Sequence, residues 1–248
     1  MERVLKTAPM GKKGKSLYEG ILDGFPISIG YIPISITFGM IAVQEGLHLW
    51  QAIAMSVLVF AGASQFMAIN MLTIGVGAFE IIFATFILNL RHFILSVSMM
   101  NQWKHLSKKS KAFFSFGLTD ETYSVFSMKR KQREQDTYYI GGLIGMAYIS
   151  WILGTVIGGI FSNFISPLVS VGMSITLYAM FIGLLVPEMK KSWKVTLIAL
   201  SSILLSIFFN FYIGLSSGWS IILSTLMGSS LGILLYKEEK SVEKEVSI

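Results

Sequence analysis

Arg91 lies inside an apolar run, Phe79 to Met99, that is long enough to cross a bilayer and that also carries Asn89 and His92. A guanidinium near the middle of a membrane helix costs about 2.5 to 3.5 kcal/mol, so it calls for an acidic partner, a bound carboxylate or an aqueous cavity. Snorkelling to the headgroups is the competing reading, but the eight residues from Arg91 to Met99 rise about 12 Å, a long reach for one side chain. Asn89 and His92, three apart, share a helix face while Arg91 points elsewhere. Histidine ordinarily titrates near neutral pH, so His92 is a candidate proton carrier, with a plain hydrogen-bonding role as the alternative. Asp120 and Glu121 stand at the centre of Ala112 to Met128 as partners for Arg91 or carriers of a coupling proton, unless they are a solvated loop pair. Ser64 and Gln65 close the small-residue stretch Phe60-Ala61-Gly62-Ala63-Ser64-Gln65-Phe66, where the amide serves either a substrate or a helix-packing contact. Pro33, in mid-run between Phe25 and Val43, removes a backbone donor and frees carbonyls. Arg91, Asn89, Gln65, Ser64 and Pro33 are thus candidate substrate contacts, and Asp120, Glu121 and His92 candidate proton-coupling groups. No residues suggest a metal or catalytic set.

These groups must be held by membrane helices. Apolar residues make up 53% of the 248-residue chain and charged residues 14%, with a mean hydropathy of +0.66, too little polar surface for a soluble protein of this size. At about 20 residues per crossing the length admits seven or eight helices. Continuous rather than alternating apolar runs argue against a closed β-barrel. The expected fold is an all-α polytopic membrane protein with seven or eight hydrophobic helices and at least one broken or re-entrant segment. The absence of cysteine removes disulfides, thiolate metal sites and cysteine nucleophiles. No cofactor is implied: Gly11-Lys12-Lys13-Gly14-Lys15 has the wrong spacing for a phosphate-binding loop. The net charge of +6 comes from basic residues between apolar runs, so the positive-inside bias explains it and nucleic acid is set aside.

Residues 1–24 form a basic, cytoplasmic N-terminal segment, 25–236 a transmembrane transporter domain, and 237–248 a polar cytoplasmic tail. The first run, with Pro26, Gly30, Pro33 and Gly39, is expected to be a kinked or broken helix. Gln51 to Gly75 is the second run. Lys104, Lys108, Lys109 and Lys111 precede Ala112 to Met128, and Lys129, Arg130, Lys131 and Arg133 follow it; both clusters read as cytoplasmic. If that stretch spans, the first cluster falls outside; if it re-enters, one of the first three runs fails to cross. Four further spans are expected at about Tyr139 to Phe161, Val171 to Val186, Val195 to Ile213 and Trp219 to Tyr236. Gly141 with Gly145, Gly154 with Gly158, and Gly228 with Gly232 suit close helix packing. Gly24 to Tyr31-Ile32 repeats the spacing of Gly141 to Tyr148-Ile149, a hint of internal duplication.

Five motifs in order carry a family resemblance: Gly24-Phe25-Pro26 with Tyr31-Ile32-Pro33 and Phe38-Gly39, Phe60 to Phe66, Asn89-Leu90-Arg91-His92, Leu118-Thr119-Asp120-Glu121, and Ala179-Met180-Phe181 with Leu184 to Pro187. Over residues 20–190 or so the chain resembles the AzlC family. The resemblance implies the large subunit of a two-component exporter of branched-chain amino acids, which pairs with a small AzlD-type membrane subunit in a bacterial plasma membrane and draws on proton-motive force. Gly172-Met173-Ser174-Ile175-Thr176 departs from the family pattern, which carries an acidic residue shortly before Ala-Met-Phe.

The residues alone support a secondary transporter without specifying its substrate. The rival classes are an integral-membrane enzyme and a non-transporting assembly subunit. For an enzyme the chain offers no HExxH pair, and Asp120 and Glu121 are neighbours on a helix rather than a facing dyad, so it is read as a non-enzyme.

Overall fold

The computed structural model describes residues 11–129, 135–164 and 185–246, with positions 175, 179, 182 and 183 between the last two stretches. These residues form helices α1 (Lys12–Gln44), α2 (Leu49–Leu58), α3 (Gly62–Thr73), α4 (Ala78–Met99), α5 (Lys108–Phe116), α6 (Asp120–Lys129), α7 (Thr137–Phe161), α8 (Trp193–Ile207) with a π-helical turn at Phe208–Tyr212, and α9 (Ser217–Val246). Among the described residues there is no strand, and five helical segments are long and apolar enough to cross a membrane. The chain is an all-α polytopic membrane protein. Most of the span expected at Val171 to Val186, and the departure at Gly172 to Thr176, lie outside the described residues. The chain divides into two compact units, Met1–Gln65 with Asn89–Ser174, and Phe66–Leu88 with Ile175–Ile248.

The first unit is built on α1 and α7, which run side by side in the same direction. A Cβ on Gly20 would meet the carbonyl oxygen of Tyr139, one on Gly24 would lie 2.9 Å from that of Leu143, and one on Gly158 would meet that of Ile36. Partners climb both helices together, as parallel packing requires. Glycine lets the backbones touch, and dispersion between them replaces the hydrophobic drive that lipid cannot supply. Of the two forms expected for the first run, kinked or broken, the break is absent: α1 continues through Pro26 and Pro33. Each proline in a helix interior costs about 3 kcal/mol. Contact with α7 at Gly20, Gly24 and Gly39 spreads along the helix and offsets that cost. α1 also begins at Lys12, and its 33 residues span about 50 Å, more than the ~30 Å hydrocarbon core, so Lys12, Lys13 and Lys15 occupy a projecting end.

The breaks fall elsewhere. α2 descends antiparallel to α7, with Leu49 beside Gly159, Ser56 Oγ 2.7 Å from Thr155 Oγ1, and the Phe60 ring against Tyr148 and Trp151. After residues 59–61 the chain turns back, and Gln65 Nε2 donates to Ser56 Oγ at 3.0 Å. The second break, Gly117–Thr119, also reverses the chain. α5 rises parallel to α7, Phe114 near Gly141 and Gly117 against Ile144; α6 then returns, Thr119 at Tyr31 and Lys129 at Asp23. The α5–α6 segment is therefore a re-entrant hairpin, and α2 reaches its own reversal from the opposite end of the unit.

The two reversals bear on the placement of charge. Beyond α4, the Trp103 ring packs on Phe126, and His105 Nε2 lies 2.8 Å from the Gln135 carbonyl oxygen, at the end of the unit where α7 begins. Lys104, Lys108, Lys109, Lys111 and Lys129 thus gather at the same end as the start of α1, the cytoplasmic end by the positive-inside bias.

In the second unit α8 and α9 pack antiparallel. Gly228 faces Ser202, a Cβ on Gly232 would lie 3.0 Å from Ile198, and Lys194 Nζ donates to the Leu235 carbonyl at 3.2 Å. The Glu80 carboxylate accepts from the Ser216 hydroxyl and, at 3.0 Å, from the Trp219 N–H, so an acid satisfies the exposed amides at the start of α9.

Candidate functional site

The two hairpin tips meet the long helices near Tyr31, about midway along α1. Each tip begins a helix there, α3 at Gly62 and α6 at Asp120, so two positive helix ends lie deep in the first unit. The partial charges and unpaired amides of such ends favour anionic groups. α6 places Asp120 and Glu121 in its first turn.

Arg91, on α4, reaches this tip: its Nη1 lies 2.8 Å from Asp120 Oδ2. Both side chains are about one-third exposed, at 32% and 35%, so the pair is accessible and not sealed in the core. Arg91 Nε is buried without a hydrogen-bond partner, as is His92 Nε2 on the next residue. The guanidinium has five N–H donors in a planar fork, so one carboxylate contact leaves capacity for a second anion.

Glu121 sits one residue on with different company. Its Oε2 lies 2.5 Å from the Tyr31 hydroxyl, which is also 2.8 Å from Thr119 Oγ1. The adjacent acids are therefore divided, one on a cation of α4 and one on a neutral hydroxyl of α1.

The α2–α3 tip is held by neutral hydrogen bonds. Gln65 is 1% exposed, and both ends of its amide are satisfied: Oε1 accepts from Trp151 Nε1 at 2.9 Å and Nε2 donates to Ser56. Ser64 Oγ donates to Asn89 Oδ1 at 2.7 Å, tying this tip to α4. Around both tips lie Tyr31, Phe60, Tyr148 and Trp151, in edge-on contacts with ring centroids 5.2 to 6.5 Å apart. Tyr31 and Tyr148, the tyrosines of the two similarly spaced stretches, both rest on Phe60.

Seven of the eight residues singled out from the sequence, Ser64, Gln65, Asn89, Arg91, His92, Asp120 and Glu121, thus collect at the tips or on the α4 segment facing them. Pro33 does not join them: it is exposed on α1, and its carbonyl accepts from Thr37 Oγ1 at 2.9 Å. Sequence reasoning met Tyr31 and Thr119 within the quoted motifs but gave them no role, and it passed over Ser56, Trp151 and Thr155. Trp151 offered a signal, since an indole N–H in mid-span needs an acceptor. The hydroxyl residues offered none, because serine and threonine in membrane helices more often bond to their own backbone.

Chain reversals meeting at a polar, partly accessible centre inside an apolar bundle mark a polytopic membrane protein. A family model described as AzlC protein matches residues 26–165, the segment from α1 through α7 that contains both hairpins, and the chain belongs to the AzlC family. Among its relatives, the inner membrane protein YgaZ of Escherichia coli is 29% identical over 181 residues, 70% of this chain and 73% of that protein. An uncharacterized membrane protein of Archaeoglobus fulgidus is 32% identical over 184 residues, 72% of this chain and 78% of that one. The branched-chain amino acid transport protein AzlC of Bacillus subtilis is 26% identical over 170 residues, covering 68% and 66%. No solved structure matches the chain. Family and relatives together give this chain a role in membrane transport.

Proposed function

We propose that the chain is the large subunit of a secondary transporter that exports leucine, isoleucine and valine, with methionine a further candidate, driven by proton-motive force and completed by a small AzlD-type membrane subunit. The observation that carries this reading is the Arg91–Asp120 pair at 2.8 Å, formed where a helix of one hairpin begins. A free amino acid is a zwitterion. Its carboxylate fits the unused donors of Arg91, and its ammonium fits Asp120, so substrate enters by exchanging one ion pair for two. Asn89, held by Ser64, stands two residues before Arg91 on α4 and offers its amide to the same ligand, while Gln65 fixes the other tip through Ser56 and Trp151. The rings of Tyr31, Phe60, Tyr148 and Trp151 offer apolar contact for an aliphatic side chain and no countercharge for a basic or acidic one. The name of the Bacillus subtilis relative supports the substrate class. An enzymatic reading lacks comparable support, because the two carboxylates have separate partners and do not face one another.

The test is efflux of preloaded labelled leucine from cells lacking their own exporters, with this chain alone and with an AzlD-type partner, each with and without Arg91→Ala. Efflux that needs the partner, collapses with an uncoupler and disappears in the variant at equal membrane abundance is expected. Undiminished efflux in Arg91→Ala would remove Arg91 from the site, and no efflux in any combination would remove the substrate assignment.

A further inference from the structure

We infer that Glu121, Tyr31 and Thr119 form a proton-storing relay, with Glu121 rather than Asp120 or His92 as the residue that takes up the coupling proton. This deepens the proton-driven reading above and rests on it for its purpose. The Tyr31 oxygen lies within hydrogen-bonding distance of both Thr119 Oγ1 (2.8 Å) and Glu121 Oε2 (2.5 Å), yet a phenol has one hydrogen to donate. Only one of the two contacts can use it, and the state of Glu121 decides which.

An ionised Glu121 only accepts. Tyr31 then donates to it, and Thr119 donates its hydroxyl hydrogen to the Tyr31 oxygen. When a proton binds Glu121 the chain inverts: the carboxyl O–H donates to Tyr31, and Tyr31 donates to Thr119 Oγ1. The Thr119 hydrogen turns to Thr122 Oγ1, 3.4 Å away. The Thr122 hydroxyl in turn has the Gly117 carbonyl at 3.3 Å and the Thr119 carbonyl at 3.2 Å as acceptors. Every hydroxyl keeps a partner in both states and no heavy atom has to move, so one proton is stored without leaving a buried polar group unsatisfied.

Asp120 cannot do this as readily. A proton on Asp120 would remove the countercharge of Arg91, 2.8 Å away, leaving a cation uncompensated at the tip. His92 has its Nε2 buried with no acceptor or donor to relay through. Around Glu121 the titratable groups are Tyr31 on α1, Arg91 and His92 on α4, and Asp120 beside it; α7 contains no acid or base other than tyrosines, and the lysines of α5 stand at its far end. Arg91 belongs to Asp120, so Glu121 is the acid with no ion-pair partner among the described residues. Tyr31 is a positioning residue here, and its ring is fixed by edge-on contacts with Phe60 and Trp151.

The test is infrared difference spectroscopy of the full chain in lipid vesicles between acid and alkaline pH, read at the C=O stretch of a protonated carboxyl, without any amino acid present. A component separate from the envelope of the other carboxyls is expected in the unaltered chain, lost in Glu121→Gln, kept in Asp120→Asn, and kept with a displaced pH midpoint in Tyr31→Phe. Identical difference spectra for the unaltered chain and Glu121→Gln, or loss of that component in Asp120→Asn, overturn the relay. Should Glu121→Gln fail to reach the membrane, Tyr31→Phe decides, because an unmoved midpoint is equally fatal. Labelled-leucine counterflow in vesicles that also carry the AzlD-type partner, which needs no proton gradient, is expected to persist in Glu121→Gln. Its loss in that variant would make Glu121 a substrate ligand instead, whereas its absence from the unaltered chain with the infrared component intact would overturn the leucine assignment and not the relay.

Discussion

Gln65 Nε2 and Ser56 Oγ are hydrogen-bonded at 3.0 Å although a helix break lies between them, and that contact turns the second apolar run back toward the end from which it came. A chain continuing straight through the break would separate those residues by about 13 Å at the 1.5 Å rise of a helix. The chain therefore reverses between α2 and the start of α3, within the first unit.

This topology is open to direct chemical mapping, because the chain has no cysteine of its own. Single cysteines at His48, at the start of α2, and at Lys104 and Lys109, beyond α4, are expected to label from opposite sides. His48→Cys should react with a membrane-impermeant maleimide on intact cells, and Lys104→Cys and Lys109→Cys only in inverted vesicles. Labelling of all three from the outside would make α2–α3 a crossing and refute the paired reversals.

The Arg91–Asp120 pair predicts a non-additive mutant cycle. Removing one partner leaves the other charge uncompensated, which costs about 3 to 5 kcal/mol in a sealed interior. With both side chains about one-third exposed, we expect about 1 to 3 kcal/mol for Arg91→Ala or Asp120→Ala. The double variant should be no less stable than Arg91→Ala, since it strands no charge. Thermal unfolding in detergent, followed by tryptophan fluorescence, measures this, and strictly additive losses would show that the two groups are not coupled.

Gly39 and Gly30 lie on the same helix and should respond oppositely to one methyl group. A Cβ on Gly39 would run into the Thr155 carbonyl oxygen of α7, whereas one on Gly30 finds nothing within 4 Å. Backbone cannot rotate out of the way as a flexible side chain can, so Gly39→Ala should lose about 1 to 3 kcal/mol by overpacking. Gly30→Ala should be neutral or slightly stabilising, because alanine is favoured over glycine by up to about 1 kcal/mol in a helix. Unfolding midpoints of the two purified variants test the contrast; equal destabilisation would argue against close α1–α7 contact.

Much of the site was legible in the sequence because charge is expensive in lipid. An arginine, two acids and an amide inside apolar runs reveal themselves by cost alone, and Arg91 with Asp120 could be paired as candidates before any coordinates. The prolines of the first run suggest a kinked or broken helix, and α1 is unbroken for a physical reason. Proline weakens a helix locally, but its effect depends on what packs alongside, and the sequence of α1 does not announce the glycine contacts with α7 that keep Lys12–Gln44 continuous. The true breaks contain no proline, and only the reversal of packing partners exposes them.

Composition and hydropathy by themselves determined that this chain is a helical membrane protein, and the positive-inside bias determined which loops lie together, because both follow from transfer free energies that each residue carries wherever it stands. The lysine clusters left two readings open, a span at Ala112 to Met128 with one cluster outside or a re-entry there with one earlier run failing to cross. Tertiary structure alone decided that the chain reverses twice, from opposite ends of the first unit, that Arg91 takes Asp120 and leaves Glu121 to Tyr31, and that a neutral amide fastens the other tip to Trp151. Adjacent residues such as Asp120 and Glu121 have nearly the same local sequence context, so which partner each one finds depends on distant helices brought within about 3 Å, the range over which hydrogen bonds and ion pairs discriminate.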